Sequence, residues 1–283
     1  MQRVITEEML EAYENYLFED EKCLATIKKY LGDIRKLQAY AGGKEISKKL
    51  LVEYKAHFLE EGKYKERSIN SFLVSANCFL QFMGWNDAVV KLNRIQREIF
   101  SPQEKNLTRE EYIKLVRAAR SNGKERMGMI LQTICATGIR VGELKYVTVQ
   151  AVKKGVLEIR NKGKSRKVLL PNQLLVRLRR YIRENGILHG AVFITSGGRV
   201  VDRSNIWREM KSLCRTAGVQ SEKVFPHNLR HLFARCFYEL EKDIARLADV
   251  LGHSSIETTR IYIKSTGEKH LKQLERMGLV LGG

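Results

Sequence analysis

Apolar residues recur at intervals of three and four through the first third of the chain. Met9, Leu10, Tyr13 and Leu17 form one set, and Leu24, Ile27, Leu31, Ile34 and Leu37 a second. Leu50, Leu51, Tyr54 and Phe58 form a third, and Ile69, Phe72, Leu73, Ala76, Phe79, Leu80 and Met83 a fourth. One apolar stripe per segment predicts four helices between Thr6 and about Trp85. The breaks fall at Gly42-Gly43 and Glu61-Gly62, and Ser47 is placed to cap the third helix.

Ser101-Pro102-Gln103-Glu104-Lys105-Asn106 reads as a polar connection, after which Thr108 and Glu111 have the spacing of a capping box. We therefore expect a helical domain over residues 1–98, a linker over 99–107 and a second domain over 108–283. The second domain opens with helices at about 108–121 and 124–137, with Gly138 as a C-cap. Near residue 155 the pattern changes to Val156-Leu157-Glu158-Ile159-Arg160, a turn at Asn161-Lys162-Gly163-Lys164-Ser165, and Arg166-Lys167-Val168-Leu169-Leu170, which predicts a β-hairpin with a basic tip. Helical periodicity resumes at about 172–185, 203–217, 226–241, 243–251 and 255–264, and Val192-Phe193-Ile194 reads as one more short strand. The expected fold class is mainly α with a small β-sheet: an N-terminal helical domain followed by an α+β domain.

The net charge of +19 on 283 residues favours a polyanionic partner, nucleic acid or an acidic membrane surface. Basic and acidic residues nearly balance through Asn106, so almost all the excess lies in the second domain. The cysteines, Cys23, Cys78, Cys135, Cys214 and Cys236, are odd in number and scattered, without a C-x-x-C pair, and read as reduced, buried thiols. An acidic N-terminal stretch without a signal-like apolar core, and no apolar run of membrane-spanning length, lead us to expect a cytoplasmic protein. Neither a Walker-type loop nor G-x-G-x-x-G occurs, so nucleotide hydrolysis is not suggested.

Chemistry concentrates in the second domain. Pro226 is suited to the first position of a helix, which puts His227, Arg230 and His231 on one face, a composition suited to an anionic phosphate. Next to apolar Leu232 and Phe233, His231 reads as a packed, hydrogen-bonded structural residue. Arg140 and Glu143 are three apart, where the carboxylate would orient the guanidinium or form a weak surface pair. Lys162 sits on the hairpin turn, where lysine is commonly only a solvated residue. His253 follows a helix stop at Gly252, and Tyr262 stands on the next predicted helix. With an unperturbed pKa of about 10, a tyrosine acts as a nucleophile only with a base, cationic neighbours and a rigid seat. His227, His231 and His253 make a poor metal set: the glutamate of H-E-x-x-H is missing, and Arg230 lies between the first two.

Taken in order, Ala136-Thr137-Gly138-Ile139-Arg140-Val141-Gly142-Glu143-Leu144, Asn161-Lys162-Gly163-Lys164, His227-Asn228-Leu229-Arg230-His231, Leu251-Gly252-His253 and Tyr262 resemble the motifs of the tyrosine recombinase (phage integrase) family. The chain is most similar to the simple two-domain, Xer-like members. Thr26-Ile27-Lys28-Lys29-Tyr30-Leu31-Gly32-Asp33-Ile34 looks like part of that family's core-binding, SAM-like domain, so the resemblance covers about residues 5–278.

The resemblance implies a clamp on double-stranded DNA and a site-specific recombinase working through a 3′-phosphotyrosine, with no metal, ATP or other cofactor. It implies catalytic roles for six residues: Tyr262 as nucleophile, Arg140 and Arg230 as phosphate-holding groups, Lys162 as general acid, His227 as general base and His253 as a hydrogen-bond donor to the phosphate. Glu143 is implied as an accessory residue orienting Arg140, and Lys164 is the rival to Lys162. It further implies a homotetramer on two duplexes with inverted-repeat core sites, joined through a C-terminal tail carrying Leu271, Leu274, Met277, Leu279 and Val280. Two other readings are a type IB topoisomerase-like relaxing enzyme and a non-catalytic DNA-binding regulator. Phage and mobile-element integration and chromosome-dimer resolution are all served by this two-domain core.

Overall fold

Short polar caps and left-handed glycines punctuate the helices of this chain. The computed structural model describes residues 3–95, 106–161, 164–263 and Arg276. The chain divides into two compact units, residues 1–97 and 98–283. Among the described residues, no helix is long and apolar enough to cross a membrane.

In the first unit, α1 (Glu7–Glu19), α2 (Leu24–Ala41), α3 (Lys48–Glu60) and α4 (Glu66–Phe82) match the four apolar stripes. Thr6 and Ser47 accept from the backbone N–H groups of Met9 and Leu50, and α2 stops at Gly42 in a left-handed conformation. The stripes meet in one core, in which the rings of Tyr13 and Phe79 pack edge to face at 5.2 Å. One carboxylate enters this interior: Asp33 is held by Lys29 at 2.8 Å and Ser75 at 2.9 Å.

The second unit begins at α5 (Arg109–Ser121), closed by the Thr108–Glu111 capping box. Leu107, just ahead of it, is already buried in this unit's core. α6 (Glu125–Thr137) buries Met127, Ile130, Leu131 and Ile134 around most of its circumference and is the central helix. It ends at Gly138, where φ is +66° and an added Cβ would lie 2.4 Å from the Phe233 ring. A 3₁₀ turn (Val141–Tyr146) and α7 (Val149–Lys154) follow, both too short to leave a periodic signature in the sequence. β1 (Val156–Asn161) and β2 (Lys164–Leu169) pair antiparallel, with Val156 opposite Leu169 and Asn161 opposite Lys164.

α8 (Asn172–Glu184) buries Leu174, Leu175, Leu178 and Tyr181 and exposes Arg177, Arg179, Arg180 and Arg183. Each buried leucine is worth about 1.5–3 kcal/mol of transfer free energy. Then come α9 (Arg203–Ser212), α10 (Cys214–Ala217), α11 (Pro226–Glu241), α12 (Ile244–Leu251) and α13 (Ile256–Ile263).

Three expectations are corrected. The single helix expected at 203–217 is interrupted at Leu213, which ends α9 and begins α10. Val192-Phe193-Ile194 is not a strand: the segment makes only the isolated bridges Thr148↔Ala191 and Ile194↔Val200. Val192 and Phe193 are apolar because both are buried in the core. Of the cysteines, only Cys214 is fully buried, while Cys23 is exposed at the start of α2, where a capping position faces water. Most of the expected linker and C-terminal tail, and Lys162, lie outside the described residues.

One substitution should act with opposite signs at two glycines. Gly138→Ala should destabilise the second unit by about 1–3 kcal/mol through its left-handed backbone, and by more through the clash with Phe233. Gly32→Ala, mid-helix and facing open space, should stabilise the first unit by about 0.5–1 kcal/mol. Equilibrium urea unfolding of both variants measures the pair.

Candidate active site

Once α6 stops at Gly138, the chain turns into the 3₁₀ turn and Arg140 becomes the residue ahead of its first turn. Glu143, three residues on and 4% exposed, folds back to it. Its Oε2 accepts from the Arg140 backbone N–H at 2.7 Å, and its Oε1 from Arg140 Nη1 at 3.2 Å. The stronger hold comes from elsewhere: Arg166 on β2 donates to both oxygens, Nη1 to Oε1 at 2.9 Å and Nη2 to Oε2 at 2.7 Å. Burial pushes the Glu143 carboxyl up, but the Arg166 hydrogen bond, then the Arg140 backbone bond and the two positive charges, hold it below its ordinary value. The Arg140 side chain stays 40% exposed and borders a cavity of about 940 Å³. Arg160, Arg203, Trp207, Arg208 and His227 line the same cavity.

Pro226 opens α11, and Arg230 one turn later is 1% exposed. Its Nη1 donates to the Gly138 carbonyl, and its Nη2 donates to the Leu251 carbonyl at 2.7 Å and meets His253 Nε2 at 2.9 Å. Burial, then the charge of Arg140, lower its pKa to about 10, so it stays cationic at neutral pH. Its buried Nε–H has no acceptor among the described residues.

A guanidinium can only donate, so His253 Nε2 must accept, and the ring proton sits on Nδ1, 2.8 Å from Thr259 Oγ1. His253 is therefore neutral. Burial, then Arg230, Arg140, Arg166 and His227, lower its pKa to about 4.

α13 carries Thr259 and, one turn on, Tyr262, which is 6% exposed. The Tyr262 ring centroid lies 4.3 Å from that of His231, 5.3 Å from His253 and 5.5 Å from His227. Its hydroxyl is 3.4 Å from His227 Nε2. Loss of hydration, then the charges of Arg230, Arg140 and Arg203, push the His227 pKa below its ordinary value, so the imidazole is a free proton acceptor at neutral pH. Burial, then His227, Arg235 and Arg230, lower His231 to about 3. The arrangement offers a phenolic oxygen beside a neutral base, next to two fixed cations.

Arg140, Glu143, His227, Arg230, His253 and Tyr262 thus converge in the second unit, while Lys162 lies outside the described residues. His231 is packed, as its sequence context suggests, and it packs on the Tyr262 ring itself. Spacing alone did not single out Arg166 or Thr259. For Arg166 a signal existed: it lies two residues before buried Val168 and so shares that strand's inward face. Gly252 makes room for it, since an added Cβ there would lie 2.5 Å from Arg166 Cδ. No group of three or more metal-ligating side chains occurs among the described residues.

The phage integrase family matches residues 105–269, and the phage integrase N-terminal SAM-like domain matches residues 10–86. Tyrosine recombinase XerA of Pyrococcus furiosus is 30% identical over 289 residues, spanning 99% of this chain and 97% of its own. Tyrosine recombinase XerD of Pseudomonas putida is 30% identical over 228 residues, spanning 75% and 76%. Among solved structures, a lambda integrase dimer bound to a COC′ core site superposes with a TM-score of 0.74 at 18% identity, covering 93% of this chain and 78% of that one. The XerA recombinase crystal structure covers 98% and 100%, with a TM-score of 0.53 and 24% identity. Fold and relatives together define a tyrosine site-specific recombinase. The chain belongs to the phage integrase family.

Two measurements follow from this geometry. Because His231 and His253 are held below the ordinary 6.5, the unfolded chain takes up protons that the native protein refuses, and stability falls as pH drops from about 6.5 toward about 4 for His253 and about 3 for His231. The unfolding free energy should therefore slope upward with pH between about 5 and 6, and His253→Gln should flatten that slope. Arg166→Met, which takes the bidentate partner from the buried Glu143 carboxylate and leaves it only Arg140, should cost about 3 kcal/mol in urea unfolding. Arg166→Lys should recover only part of the loss, because an ammonium cannot make the bidentate pair.

Proposed function

We propose that this recombinase cuts and rejoins specific sites in double-stranded DNA through Tyr262. The observation that carries the reading is the phenol seated on α13, its hydroxyl at His227 Nε2, beside Arg140 and buried Arg230. The Tyr262 oxygen attacks the scissile phosphorus, its proton passes to His227, and the bond from phosphorus to the 5′-oxygen breaks. That oxygen takes a proton from Lys162. Arg140 and Arg230 stabilise the charge on the non-bridging oxygens, a role supported by the exposed Arg140 head and the unpartnered Arg230 Nε–H. Glu143 keeps Arg140 aligned. A 5′-hydroxyl of the partner strand then attacks the 3′-phosphotyrosine, which restores the phosphodiester and frees Tyr262. The bond energy is kept in the covalent link, so no ATP is required, and the arginines take the part that a metal plays in other phosphoryl transfers.

Relatives support the substrate and assembly. Solved neighbours include a XerH site-specific recombinase bound to its difH substrate and a lambda integrase tetramer bound to a Holliday junction. By analogy this protein acts as a homotetramer on two duplexes with inverted-repeat core sites, joined through its C-terminal tail. The exposed Arg203, Trp207 and Arg208 of α9, with Lys211 over the Trp207 ring at 5.3 Å, provide a basic and aromatic face beside the site suited to a DNA backbone. We also propose a cytoplasmic location.

Nicked suicide duplexes carrying candidate core sites, incubated without metal or ATP, should yield a denaturation-resistant protein–DNA adduct. Tyr262→Phe should abolish the adduct and leave duplex binding unchanged in a gel-shift assay. Binding without an adduct across a randomised site library would leave a DNA-binding regulator as the better account. Relaxation of supercoiled DNA without strand exchange would favour the topoisomerase-like alternative.

A further inference from the structure

We infer that Thr259 is a positioning residue, which pairs Nδ1 of His253 and so holds the ring, in the tautomer that Arg230 requires, against the Arg230 guanidinium. The inference rests on the reading of Arg230 as a phosphate-holding group.

Thr259 is 0% exposed, one of few fully buried polar side chains in the second unit, and its hydroxyl lies 2.8 Å from His253 Nδ1. Across the same ring, His253 Nε2 lies 2.9 Å from Arg230 Nη2. The cation dictates the direction of the whole chain of bonds: Arg230 donates to Nε2, so Nδ1 bears the proton and donates to Thr259 Oγ1. An imidazole with its proton on Nε2, or on both nitrogens, would set an N–H against an N–H at that distance. His253 therefore serves Arg230 only in one of its three protonation forms.

The neighbours explain why a hydroxyl suits position 259. A carboxylate there would raise the basicity of the ring and favour the imidazolium, which cannot accept from Arg230. An apolar side chain would leave the Nδ1–H buried without an acceptor and loosen the ring's hold against Arg230. A neutral hydroxyl pairs the Nδ1–H and leaves the ring uncharged. The hydroxyl also donates as well as accepts, so it stays paired when a phosphate replaces His253 as the acceptor for Arg230 and the ring takes its other neutral form. The proton exchange then runs through solvent, one proton gained at Nε2 and one returned from Nδ1, with no net change in charge.

Thr259 and Tyr262 lie on the same face of α13, three residues apart. The bond to His253 therefore also ties the helix bearing the phenol to the end of α12, and through Arg230 to the carbonyl of Gly138, two residues before Arg140. One hydroxyl links the seat of the tyrosine to that of the buried arginine.

The test is single-turnover adduct formation at saturating nicked duplex, read beside long-range nitrogen–proton NMR of the histidine rings in the DNA-free protein. Thr259→Val should slow adduct formation about tenfold, with duplex affinity unchanged, and should shift the His253 Nδ1–H resonance and speed its exchange with solvent, while Arg230 keeps the proton on Nδ1. Thr259→Ser should retain wild-type rate and signature. In a His253→Ala background, Thr259→Val should add no further loss, because its effect passes through that ring. Wild-type speed in Thr259→Val, or a loss that multiplies with that of His253→Ala, overturns the inference in favour of simple packing. A wild-type His253 carrying its proton on Nε2 overturns it without reference to any variant. If wild-type protein forms no adduct at all, the catalytic reading fails, and the NMR signatures of the wild type and the two Thr259 variants still decide the tautomer claim.

Discussion

A guanidinium buried to 1% exposure without a carboxylate of its own is the constraint on which the second unit depends. Desolvating such a cation costs several kcal/mol, on the order of what a whole domain has as net stability. Arg230 offsets this with carbonyl oxygens at the ends of two helices, Gly138 after α6 and Leu251 on α12, and with the ring of His253. Each of those acceptors points inward because a helix ends there. Gly138 and Gly252 take left-handed conformations at those ends, which turn the chain sharply after the last carbonyls. The buried cation, the two helix stops and the entry to α13 are thus one arrangement.

Charge sets the chemistry of the same neighbourhood. Arg140 and Arg166 share one buried carboxylate, Glu143, with four hydrogen bonds, and Arg230 adds a third positive charge nearby. The surplus of positive charge adds to burial, the larger cause, in keeping three nearby imidazoles neutral, His227, His231 and His253. It also leaves a field ready for an anion. A neutral base beside a phenol and a positive field over the adjoining cavity are the two conditions that phosphoryl transfer to tyrosine requires, and the same arginines contribute to both.

Much of this was legible along the chain. The four helices of the first unit, the capping box at Thr108, the stop at Gly138 and the hairpin after Gly155 each follow from a local signal of periodicity or capping. The residues that meet in the site were also legible as types in order, from Arg140 to Tyr262. What escaped the sequence had no local signal or a misleading one. The 3₁₀ turn and α7, six residues each, are too short to show a sustained apolar repeat. Val192 and Phe193 are apolar because of core burial, although no strand runs beside them. Arg166 looked like one more basic residue of the hairpin, and Thr259 like one of two adjacent helical threonines.

The sequence by itself determined most of the element types, the family, and the set of side chains able to act on a phosphate, because each of these is written in neighbours a few residues apart. Only the tertiary structure decided how those side chains are used: that Glu143 belongs more to Arg166 than to Arg140, that Arg230 is buried, and that His253 carries its proton on Nδ1. The physical reason is that hydrogen-bond direction and desolvation depend on atoms brought together from distant parts of the chain. Arg230 and the Gly138 carbonyl are 92 residues apart, and Arg166 and Glu143 are 23.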